Sequence, residues 1–394
     1  MRLAILTRQI GHYHDARYRA AARRVGRLTV IATAGEGAFE AFAATGMGDY
    51  DRIVLNRTKP TYDAAVRSGR LAPALRAALE RARPDAVAVA GWGAAESAIA
   101  LRWARERGVP AVMMTESQKD DASRASWREW LKRRLLARAG AALVGGPPHA
   151  DYVAALGMPR ERIFLGYDAV DVRHFGREAD RAARPAGMPE RYLLASSRFV
   201  AKKNLPILIA AHGSVFGRTG PALVLLGDGP ERAVVEAARS HHPDPSRVLL
   251  PGFRGYADLP ALYAHAEGFV HVPTHEQWGL VVSEAMACGT PVLASAPCGA
   301  ARTLIEDGSN GLVCEADQDA VERGLARLWA MGPEGRHAMG ARGRATVADW
   351  GPERFAEGLA KAVRAAGDAR RTKPGPVDRL ILSGLSRALP ERVA

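Results

Sequence analysis

The stretch from Val270 to Ser295, VHVPTHEQWGLVVSEAMACGTPVLAS, determines how the rest of the chain is interpreted. An apolar run ends at Val272, and a polar loop with Glu276 leads into an apolar helical segment that holds Glu284. The residues Gly289-Thr-Pro291 end this helix, and a second apolar run follows. The order strand, loop, helix, strand is the unit from which parallel sheets are built.

This unit brings two carboxylates close to a predicted helix N-terminus. Glu276 lies on the loop, and Glu284, with seven residues between the two, lies about one turn into the helix. Open α/β sheets bind ligands at the carboxyl ends of their strands, and a helix N-terminus favours anions. Carboxylates accept hydrogen bonds from sugar or ribose hydroxyls. Gly279 and Leu280, at the start of the helix, are therefore further candidate contacts to a ligand.

With its flanking residues, the stretch resembles the E-x7-E signature of the retaining GT-B glycosyltransferases of family 4. The match extends from Pro273-Thr274 through Gly279 and the EAMA run to Pro291-Val292. The resemblance implies a nucleoside diphosphate sugar as donor, with Glu284 on the ribose hydroxyls and Glu276 on the donor sugar. The resemblance is strong over about residues 190–350 and only topological over about residues 1–175.

The length of 394 residues suits two domains. Short apolar runs alternate with helical stretches in both halves, which predicts an α/β fold of two Rossmann-like doubly wound domains facing an interdomain cleft. We expect an acceptor-side domain at 1–178, a nucleotide-sugar domain at 188–350, and C-terminal helices at 351–394 that return to the first domain. In the first half the predicted strands are Leu3–Thr7, Leu28–Thr33, Arg52–Leu55, Ala86–Ala90, Ala111–Met114 and Ala141–Val144.

Between the two domains, the Arg- and Ala-rich stretch 176–190 is predicted to be the linker. It follows the segment IFLGYDAVDVRHF at 163–175, which resembles the "P-N-G-V-D-x-x-x-F" sequence that ends the first domain in the family. Asn and Gly are replaced here, whereas Asp171 and Phe175 keep their places.

A second candidate cluster follows the first strand of the second half. Arg198 and Lys203 are five residues apart across a strand-to-helix turn, and Lys202 is adjacent. In the resembling family an Arg and a Lys at this spacing hold the donor pyrophosphate, where a guanidinium and an ammonium stabilise developing negative charge. Asn204 replaces the usual Gly after the Lys. Phe253, after a further strand, is the expected neighbour of the nucleobase.

Four residues of the first half are candidates by position. Gly11 and His14 lie in the predicted loop after the first strand, where Gly lets the backbone approach a ligand closely. Trp92 follows the fourth strand and is expected to line the acceptor side together with His14. Glu116 follows the fifth strand, near the place of a His that contacts the donor sugar in many relatives. Glu116 takes a related polar role, or it caps a helix or forms a salt bridge.

The segment Ser126–Arg138 predicts a basic amphipathic helix. Trp127, Leu131 and Leu135 share one face, and basic residues including Lys132 lie to the sides. Such a helix binds an anionic membrane surface, or it docks on its own sheet with its cations in water. The net charge of +13 fits an anionic partner, and equally a solvated Arg-rich surface.

The composition also indicates whether the protein spans a membrane, contains disulfides or binds a metal. There is no apolar run long enough for a transmembrane helix, and the first apolar run resembles a strand rather than a signal peptide. The three cysteines lack metal-site spacing and do not form an even set, so a reducing cytoplasm is expected. No D-x-D pair is placed to bind a metal, and two cations can neutralise the diphosphate. We therefore expect no metal and no cofactor.

These observations favour a retaining, metal-independent hexosyltransferase that uses a nucleoside diphosphate sugar, most commonly UDP-linked. The acceptor would be a sugar or a lipid-linked glycan, and the enzyme would be cytoplasmic or peripheral at the membrane. The alternatives are a GT-B sugar-nucleotide epimerase, a catalytically inactive nucleotide-sugar-binding protein, and an enzyme acting on nucleic acid. The sequence shows no pattern of basic residues with interleaved aromatic residues that a nucleic-acid-binding groove would need, so no nucleic acid partner is expected.

Overall fold

The computed structural model describes residues 1–35, 49–121, 125–369 and 384–385. Its internal contacts divide the chain into two units. The first unit comprises the described residues of Met1–Lys119, Ser123–Ala169 and Pro352–Ala394, and the second comprises those of Asp120–Ala122 and Val170–Gly351. Each unit is built around its own parallel sheet.

The sheet of the first unit has seven strands in the order β3-β2-β1-β4-β5-β6-β7, all of whose described pairings are parallel. The strands are nearly continuous apolar runs because helices cover both faces of the sheet. The six strands predicted in this half are confirmed to within one residue at each end. The strands are β1 Arg2–Thr7, β2 Arg27–Ala32, β3 Asp51–Val54, β4 Ala86–Ala90, β5 Ala111–Thr115, β6 Ala141–Val144 and β7 Ile163–Leu165.

Helices connect these strands in the right order for a doubly wound fold. The strand order reverses between β1 and β4, so the loops that follow these two strands meet at a topological switch point. A 3-10 turn at Arg160–Arg162 precedes β7. The helices are α1 His12–Ala22, α2 Lys59–Arg67, α3 Leu71–Ala82, α4 Ala95–Arg107, α5 Ser126–Leu136 and α6 Pro147–Ala155.

The second unit repeats the plan with a six-stranded parallel sheet in the order β10-β9-β8-β11-β12-β13. Here the order reverses between β8 and β11, which makes the loops after these strands the expected ligand-binding edge. The strands are β8 Tyr192–Ser196, β9 Ala222–Leu226, β10 Val248–Gly252, β11 Gly268–His271, β12 Val292–Ser295 and β13 Leu312–Cys314.

Eight helices of the second unit are described, together with 3-10 turns at Ala201–Lys203 and Pro245–Arg247. The helix that contains Glu284 runs over only eight residues, because Gly289 and Pro291 follow it. The helices are α7 Val172–Arg181, α8 Leu205–Phe216, α9 Arg232–Ser240, α10 Leu259–Ala264, α11 Leu280–Ala287, α12 Gly299–Leu304, α13 Gln318–Ala330 and α14 Gly332–Val347.

The last long helix, α15 at Pro352–Asp368, packs in the first unit against α1 and strands β4 to β7. Gly358 permits this packing, since a Cβ there would lie 2.3 Å from the carbonyl oxygen of Leu165. Phe355 and Leu359 are fully buried in the same core. Of the predicted C-terminal segment, residues 370–383 and 386–394 lie outside the described residues.

The transition between the units differs from the sequence prediction. The chain enters the second unit at Val170, not after residue 178, and α7 occupies residues that were predicted as linker. The helix forms here because the Asp171 side chain caps it, accepting a 3.0 Å hydrogen bond from the His174 amide. Phe175 is fully buried in the core of the second unit. The linker prediction was therefore wrong for the residues up to Arg181.

A buried pair of histidines lies inside the second unit, near the amino end of β9. His212 Nδ1 and His242 Nε2 are 3.0 Å apart, and His212 Nε2 lies 3.0 Å from the carbonyl oxygen of Pro221. A carbonyl only accepts, so His212 Nε2 donates and its Nδ1 accepts from His242. Burial first, then the neighbouring His242, lowers the pKa of His212 to about 4. His212 is thus packed in its neutral form.

Candidate functional site

The two loops at the switch point of the second sheet bring together three of the predicted site residues. After β8 the chain forms the 3-10 turn that carries Lys202 and Lys203, and after β11 it forms the loop that carries Glu276. The amide of Thr274 donates a 2.9 Å hydrogen bond to the carbonyl of Lys202, which ties the two loops together. Residues some 70 positions apart in sequence therefore come into contact because β8 and β11 are neighbouring strands.

Glu276 is the centre of this cluster. Lys203 Nζ contacts Glu276 Oε2, and Lys202 Nζ lies 3.3 Å from Oε1 and 3.2 Å from Gln277 Oε1. His271, the last residue of β11, places Nε2 3.7 Å from Glu276 Oε2. The Glu276 residue is 8% exposed. A carboxylate this deeply buried is stable only with such partners.

The charges of this cluster fix its protonation at neutral pH. Burial alone would raise the pKa of Glu276, but hydrogen bonding with His271 and the charges of Lys203 and Lys202 hold it well below its usual range. Burial, opposed by Glu276, lowers the pKa of His271. Glu276 is thus a carboxylate at neutral pH, and both lysines lie beside it.

Glu284 occupies a different environment on α11. It is 7% exposed, and its Oε2 accepts a 2.9 Å hydrogen bond from the hydroxyl of Tyr263 on α10. Burial raises the pKa of Glu284 to about 7, although the Tyr263 hydroxyl opposes this effect. Near neutral pH this carboxyl group therefore changes its charge, and a ligand that needs the carboxylate would bind in a pH-dependent way.

The backbone at the start of α11 has a conformation that favours glycine at position 279. Gly279 has φ +95°, in the left-handed region, and a Cβ there would lie 2.9 Å from Cys298 Sγ. The Cys298 thiol in turn donates to the Trp278 carbonyl at 2.9 Å. Leu280, the first helical residue, is half-buried and packs on the core of the second unit. The predicted ligand contact at Gly279 and Leu280 would use the amides at this N-terminus.

Arg198, predicted at the phosphates, and Phe253, predicted at the nucleobase, lie at the same carboxyl edge of this sheet, as does Asn204. Arg198 is exposed in the loop after β8, and no hydrogen bond or ion pair of its side chain is found within the described chain. Asn204 has φ +59° and donates to the carbonyls of Val272 and Ala316, at 3.2 and 2.7 Å. It thus adopts the left-handed turn that a Gly usually takes. Phe253, after β10, is half exposed.

In the first unit, Gly11 and His14 belong to the beginning of α1 and not to a loop. Gly11 is the N-cap residue, and its amide donates to His14 Nδ1 at 3.2 Å. Burial, and then the charge of Arg17, lowers the pKa of His14 well below its usual range. The loop prediction for residues 12–17 was wrong, because the helix starts at His12, where the His14 side chain accepts the hydrogen bond from the Gly11 amide.

Trp92 also lies differently from the sequence prediction. Its ring is 8% exposed and packs edge-on against Tyr152, with Lys132 Nζ 5.6 Å from its centre. It belongs to the core of the first unit. Its burial leaves little of the indole for an acceptor to contact, so we do not assign it to acceptor binding.

Glu116 is exposed just beyond the end of β5, and its neighbour Asp168 lies just beyond the end of β7. Asp168 is 3% exposed. Burial, followed by the charge of Glu116, raises the pKa of Asp168 well above its usual range. The sequence did not single out Asp168, nor did it identify His271 or Tyr263. A polar residue at the end of an apolar strand was the available signal for His271.

The exposed and buried residues of helix α5 differ from those predicted. Trp127 and Trp130 are 57% and 44% exposed, and Arg133 and Arg134 are exposed beside them. Leu135 and Leu136 are buried, and Lys132 turns inward to Tyr152, at 3.2 Å from its hydroxyl. Trp127 was predicted on the same face as Leu135, but it is exposed, whereas Leu135 is buried in a core cluster of the first unit.

In the part of the chain that the structure describes, none of the helices combines the length and the apolar character needed to cross a bilayer. Among the same residues, no group of three or more His, Cys, Asp or Glu side chains is arranged to hold a metal ion.

Two protein-family models match the chain. The model for "Glycosyltransferase Family 4" matches residues 17–174, and the model for "Glycosyl transferases group 1" matches residues 176–346. The boundary between the matches falls close to the boundary between the two units. Together the two matches cover most of the chain.

Curated relatives match over part of their length. The alpha-D-kanosaminyltransferase of Streptomyces kanamyceticus is 30% identical over 210 residues, 50% of this chain and 53% of the relative. The GDP-mannose-dependent alpha-(1-6)-phosphatidylinositol monomannoside mannosyltransferase of Mycolicibacterium smegmatis is 32% identical over 192 residues, 44% of this chain and 49% of the relative. The chain thus spans about half the length of these relatives.

A solved structure matches over almost the whole chain. Anabaena HepE, in complex with UDP and glucose, aligns with a TM-score of 0.73 and 18% identity over 92% of this chain and 99% of HepE. At this identity the likeness shows a common fold. That fold is GT-B, with two Rossmann-like α/β domains.

Proposed function

Since the chain belongs to the family 4 glycosyltransferases and has the GT-B fold, we propose that it transfers a hexosyl unit from a nucleoside diphosphate sugar to a hydroxyl group. The observation that carries the proposal is the cluster of Glu276 with Lys202 and Lys203 at the switch point of the second sheet. It places groups suited to a diphosphate beside a group suited to sugar hydroxyls. HepE was solved with UDP, which supports a uridine nucleotide as the first donor to test.

The two lysines are suited to a leaving diphosphate. Their only carboxylate partner in the described ion pairs is Glu276, so the cluster keeps an excess of one positive charge. Arg198 lies in the same loop and adds a guanidinium. As the bond to the sugar breaks, negative charge grows on the diphosphate, and preorganised cations stabilise that charge. This arrangement supports a reaction that needs no metal ion.

Glu276 is suited to hold the donor sugar. It is ionised at neutral pH, and the same lysines that would bind the phosphates hold its position. A fixed carboxylate accepts hydrogen bonds from sugar hydroxyls and orients the anomeric carbon against the diphosphate. In the proposed reaction the acceptor attacks the face that the diphosphate leaves, and a leaving phosphate oxygen takes its proton. The configuration at the anomeric carbon is thus retained without a protein nucleophile.

The remaining contacts to the donor follow from the same edge of the sheet. Glu284, one turn into α11, would accept hydrogen bonds from the ribose hydroxyls. The amides at Gly279 and Leu280 would face the diphosphate at the helix N-terminus. Phe253, half exposed after β10, would stack against the base.

Nucleotide release from a donor panel tests this function. Purified protein is incubated with UDP-glucose, UDP-galactose, UDP-N-acetylglucosamine, GDP-mannose and ADP-glucose, with and without candidate sugar and glycolipid acceptors. We expect acceptor-dependent release of one nucleotide, unaffected by excess chelator, and an α-linked product from an α-linked donor by proton NMR. An epimerase would change the sugar without an acceptor, an inactive binding protein would bind without release, and an inverting enzyme would give the β-linked product.

We also propose that α5 binds an anionic membrane surface and that the acceptor is lipid-linked. The support is the exposed side of the helix, where Trp127 and Trp130 lie beside Arg133 and Arg134. Tryptophan is favoured at bilayer interfaces, and each arginine near an anionic surface contributes about 1 kcal/mol. A relative that acts on a phosphatidylinositol monomannoside fits this proposal.

Vesicle sedimentation tests the membrane proposal. With phosphatidylglycerol vesicles at low salt, changing Arg133 and Arg134 to Gln should weaken binding about 30-fold, from two contributions of about 1 kcal/mol. Changing Arg107 and Arg160, which are exposed in surface ion pairs of the same unit, is the matched control and should have a smaller effect. Equal losses in both double variants, or no sedimentation of the wild type, would leave α5 as an ordinary surface helix.

A further inference from the structure

Lys202 and Lys203 have two partners in the proposed reaction. In the free protein both contact the Glu276 carboxylate, and in the proposed complex with a nucleotide sugar both face the diphosphate. A diphosphate carries more negative charge than one carboxylate, so it draws the lysines towards itself. Glu276 is 8% exposed, and the loss of a charged partner destabilises a carboxylate that is so deeply buried. A group that replaces a lysine at Glu276 would therefore stabilise the complex.

The side chain of His271 lies beside the carboxylate oxygen that Lys203 contacts. His271 Nε2 is 3.7 Å from Glu276 Oε2, and Lys203 Nζ contacts the same oxygen. His271 is 4% exposed, and its Nε2 is fully buried and has no hydrogen-bond partner among the described residues. A well-formed N–H···O bond is about 3 Å long, so an approach of about 0.7 Å would complete a hydrogen bond to Glu276.

The nitrogen of His271 that faces Glu276 is suited to donate. Burial, the largest cause, lowers the pKa of His271, so its ring is neutral near pH 7 and carries one N–H. A carboxylate only accepts hydrogen bonds, which favours the tautomer with the proton on Nε2. His271 thus presents an N–H group without a close acceptor next to the oxygen that Lys203 would leave.

The backbone around His271 allows the two side chains to approach each other. His271 ends β11, and its backbone is paired with Ala294 of β12. Gly279 leaves space between the side chains, since a Cβ there would lie 3.4 Å from His271 Nε2 and 3.6 Å from Glu276 Cγ. The gap can therefore close by rotation of side chains while the paired strand stays in place.

On the basis of the function proposed above, we infer that His271 is a positioning residue that takes over Glu276 when the nucleotide sugar binds. Lys203 turns from Glu276 Oε2 to the diphosphate, and the His271 Nε2–H group donates to the oxygen that Lys203 has left. Glu276 keeps its direction towards the sugar hydroxyls, while the lysine charge stabilises the leaving group. UDP alone should cause this exchange, because it carries the diphosphate.

The proton on His271 Nε2 reports the exchange in nuclear magnetic resonance spectra. Histidine labelled with nitrogen-15 gives signals from 11 rings, and His271→Gln identifies that of His271 by its loss. We expect the neutral tautomer with the proton on Nε2 in the free wild type. Saturation with UDP should move this proton downfield, because a shorter hydrogen bond to a carboxylate deshields it.

Lys203→Met should cause the same change without a ligand. It removes the ammonium group from Glu276 Oε2, so the His271 proton of the free variant should resonate close to its position in the wild type with UDP. Lys361→Met, at an exposed lysine of α15, is the matched control and should leave the proton where it is in the free wild type. If Lys203→Met does not fold, the shift of the wild type with UDP decides alone.

UDP affinity provides a second measurement. His271→Phe keeps a ring and removes the N–H group, so UDP should bind about tenfold more weakly, as for a lost hydrogen bond to a charged group. His271→Gln retains an N–H donor and should restore most of the affinity. In the Lys203→Met background, His271→Phe should not change UDP affinity, because His271 already contacts Glu276 before UDP binds. His337→Phe, at an exposed histidine of the same unit, should leave the affinity unchanged.

These measurements distinguish the role of His271 from the proposed function. A proton on Nδ1, a His271 signal that bound UDP does not move, or an equal loss of UDP affinity in both backgrounds would overturn that role even in an active transferase. A His271 signal that moves in Lys203→Met, in a protein that binds neither UDP nor GDP, would contradict the proposed function, and with it the role of His271 in sugar transfer. The predicted result is a shift with UDP together with an effect of His271→Phe that requires Lys203.

Discussion

The most specific consequence of the site geometry concerns Glu284 and pH. Its pKa is raised to about 7 because the side chain is buried, against an ordinary value of 4.5. The proposed ribose contact uses the carboxylate, which accepts stronger hydrogen bonds than the protonated acid. Nucleotide affinity should therefore fall as the pH falls through about 7. Titrations of UDP between about pH 8 and pH 5.5 test this expectation.

The size of the effect follows from the fraction of ionised Glu284. At about pH 5.5 only about 3% of a group with this pKa is ionised, so binding should weaken about 30-fold, or about 2 kcal/mol. The phosphates of UDP also titrate, but their contribution is the same in Glu284→Gln. That variant should bind UDP more weakly than the wild type at pH 8, and the extra loss of affinity below pH 7 should be absent.

The folding stability of Glu284→Gln tests the raised pKa independently, because stability and UDP affinity should change with pH in opposite directions. Because the folded-state pKa is raised, Glu284 contributes stability that is complete below its unfolded value of 4.5 and is lost as the pH rises through about 7. The loss is at most about 3 kcal/mol. At pH 8, Glu284→Gln should thus melt above the wild type while binding UDP less well. A parallel pH dependence of UDP binding in both proteins would refute the assignment of Glu284.

Three further predictions follow from contacts described above. Arg198→Ala and Lys203→Met should each lower turnover by about 100-fold. Arg198→Ala should leave the melting temperature nearly unchanged, whereas Lys203→Met should lower it, because it removes a partner of the buried Glu276 carboxylate. Lys361→Met, at an exposed lysine of α15, should leave turnover unchanged, and normal turnover in a folded double variant of Lys203 and Arg198 would contradict the phosphate role. Gly279→Ala should destabilise the protein by about 1–3 kcal/mol in urea titrations, because φ is +95° there, and an unchanged midpoint would show that the turn can rearrange. Because the pKa of His212 is lowered to about 4, its contribution to the free energy of unfolding is complete above the unfolded-state pKa of 6.5 and is lost as the pH falls towards 4. The slope is at most about 1.4 kcal/mol per pH unit. His212→Gln should flatten this slope in acid urea titrations, and an equal slope in both proteins would exclude the histidine pair as its cause.

Much of the fold could be predicted from sequence because its signals are local. Strands buried on both faces, such as Leu3–Thr7, appear as uninterrupted apolar runs, and the helices between them have their own periodicity. The pairing of Glu276 with residues near Lys203 was also accessible, since the family resemblance places both in one site. The start of α1 and the helix after Asp171 were missed because single capping contacts decide such boundaries.

The parts of the site that the sequence did not predict depend on tertiary contacts. Tyr263 reaches Glu284 only because α10 packs against α11, and nothing in the order of residues marks that contact. Asp168 and Glu116 are 52 positions apart and meet because their strands end at the same edge of the sheet. The two faces of α5 were confused because Trp and Leu are both apolar, while packing in the core of the first unit decides which of them is buried.

The central claim is that the cluster at the switch point of the second sheet is the donor site of a glycosyltransferase. A crystal structure of the protein with UDP-glucose tests it most directly. The account predicts the diphosphate on Lys202 and Lys203, a hydroxyl of the glucose on Glu276, and the ribose hydroxyls on Glu284. A nucleotide sugar bound elsewhere, with Glu276 still held by both lysines, would contradict it.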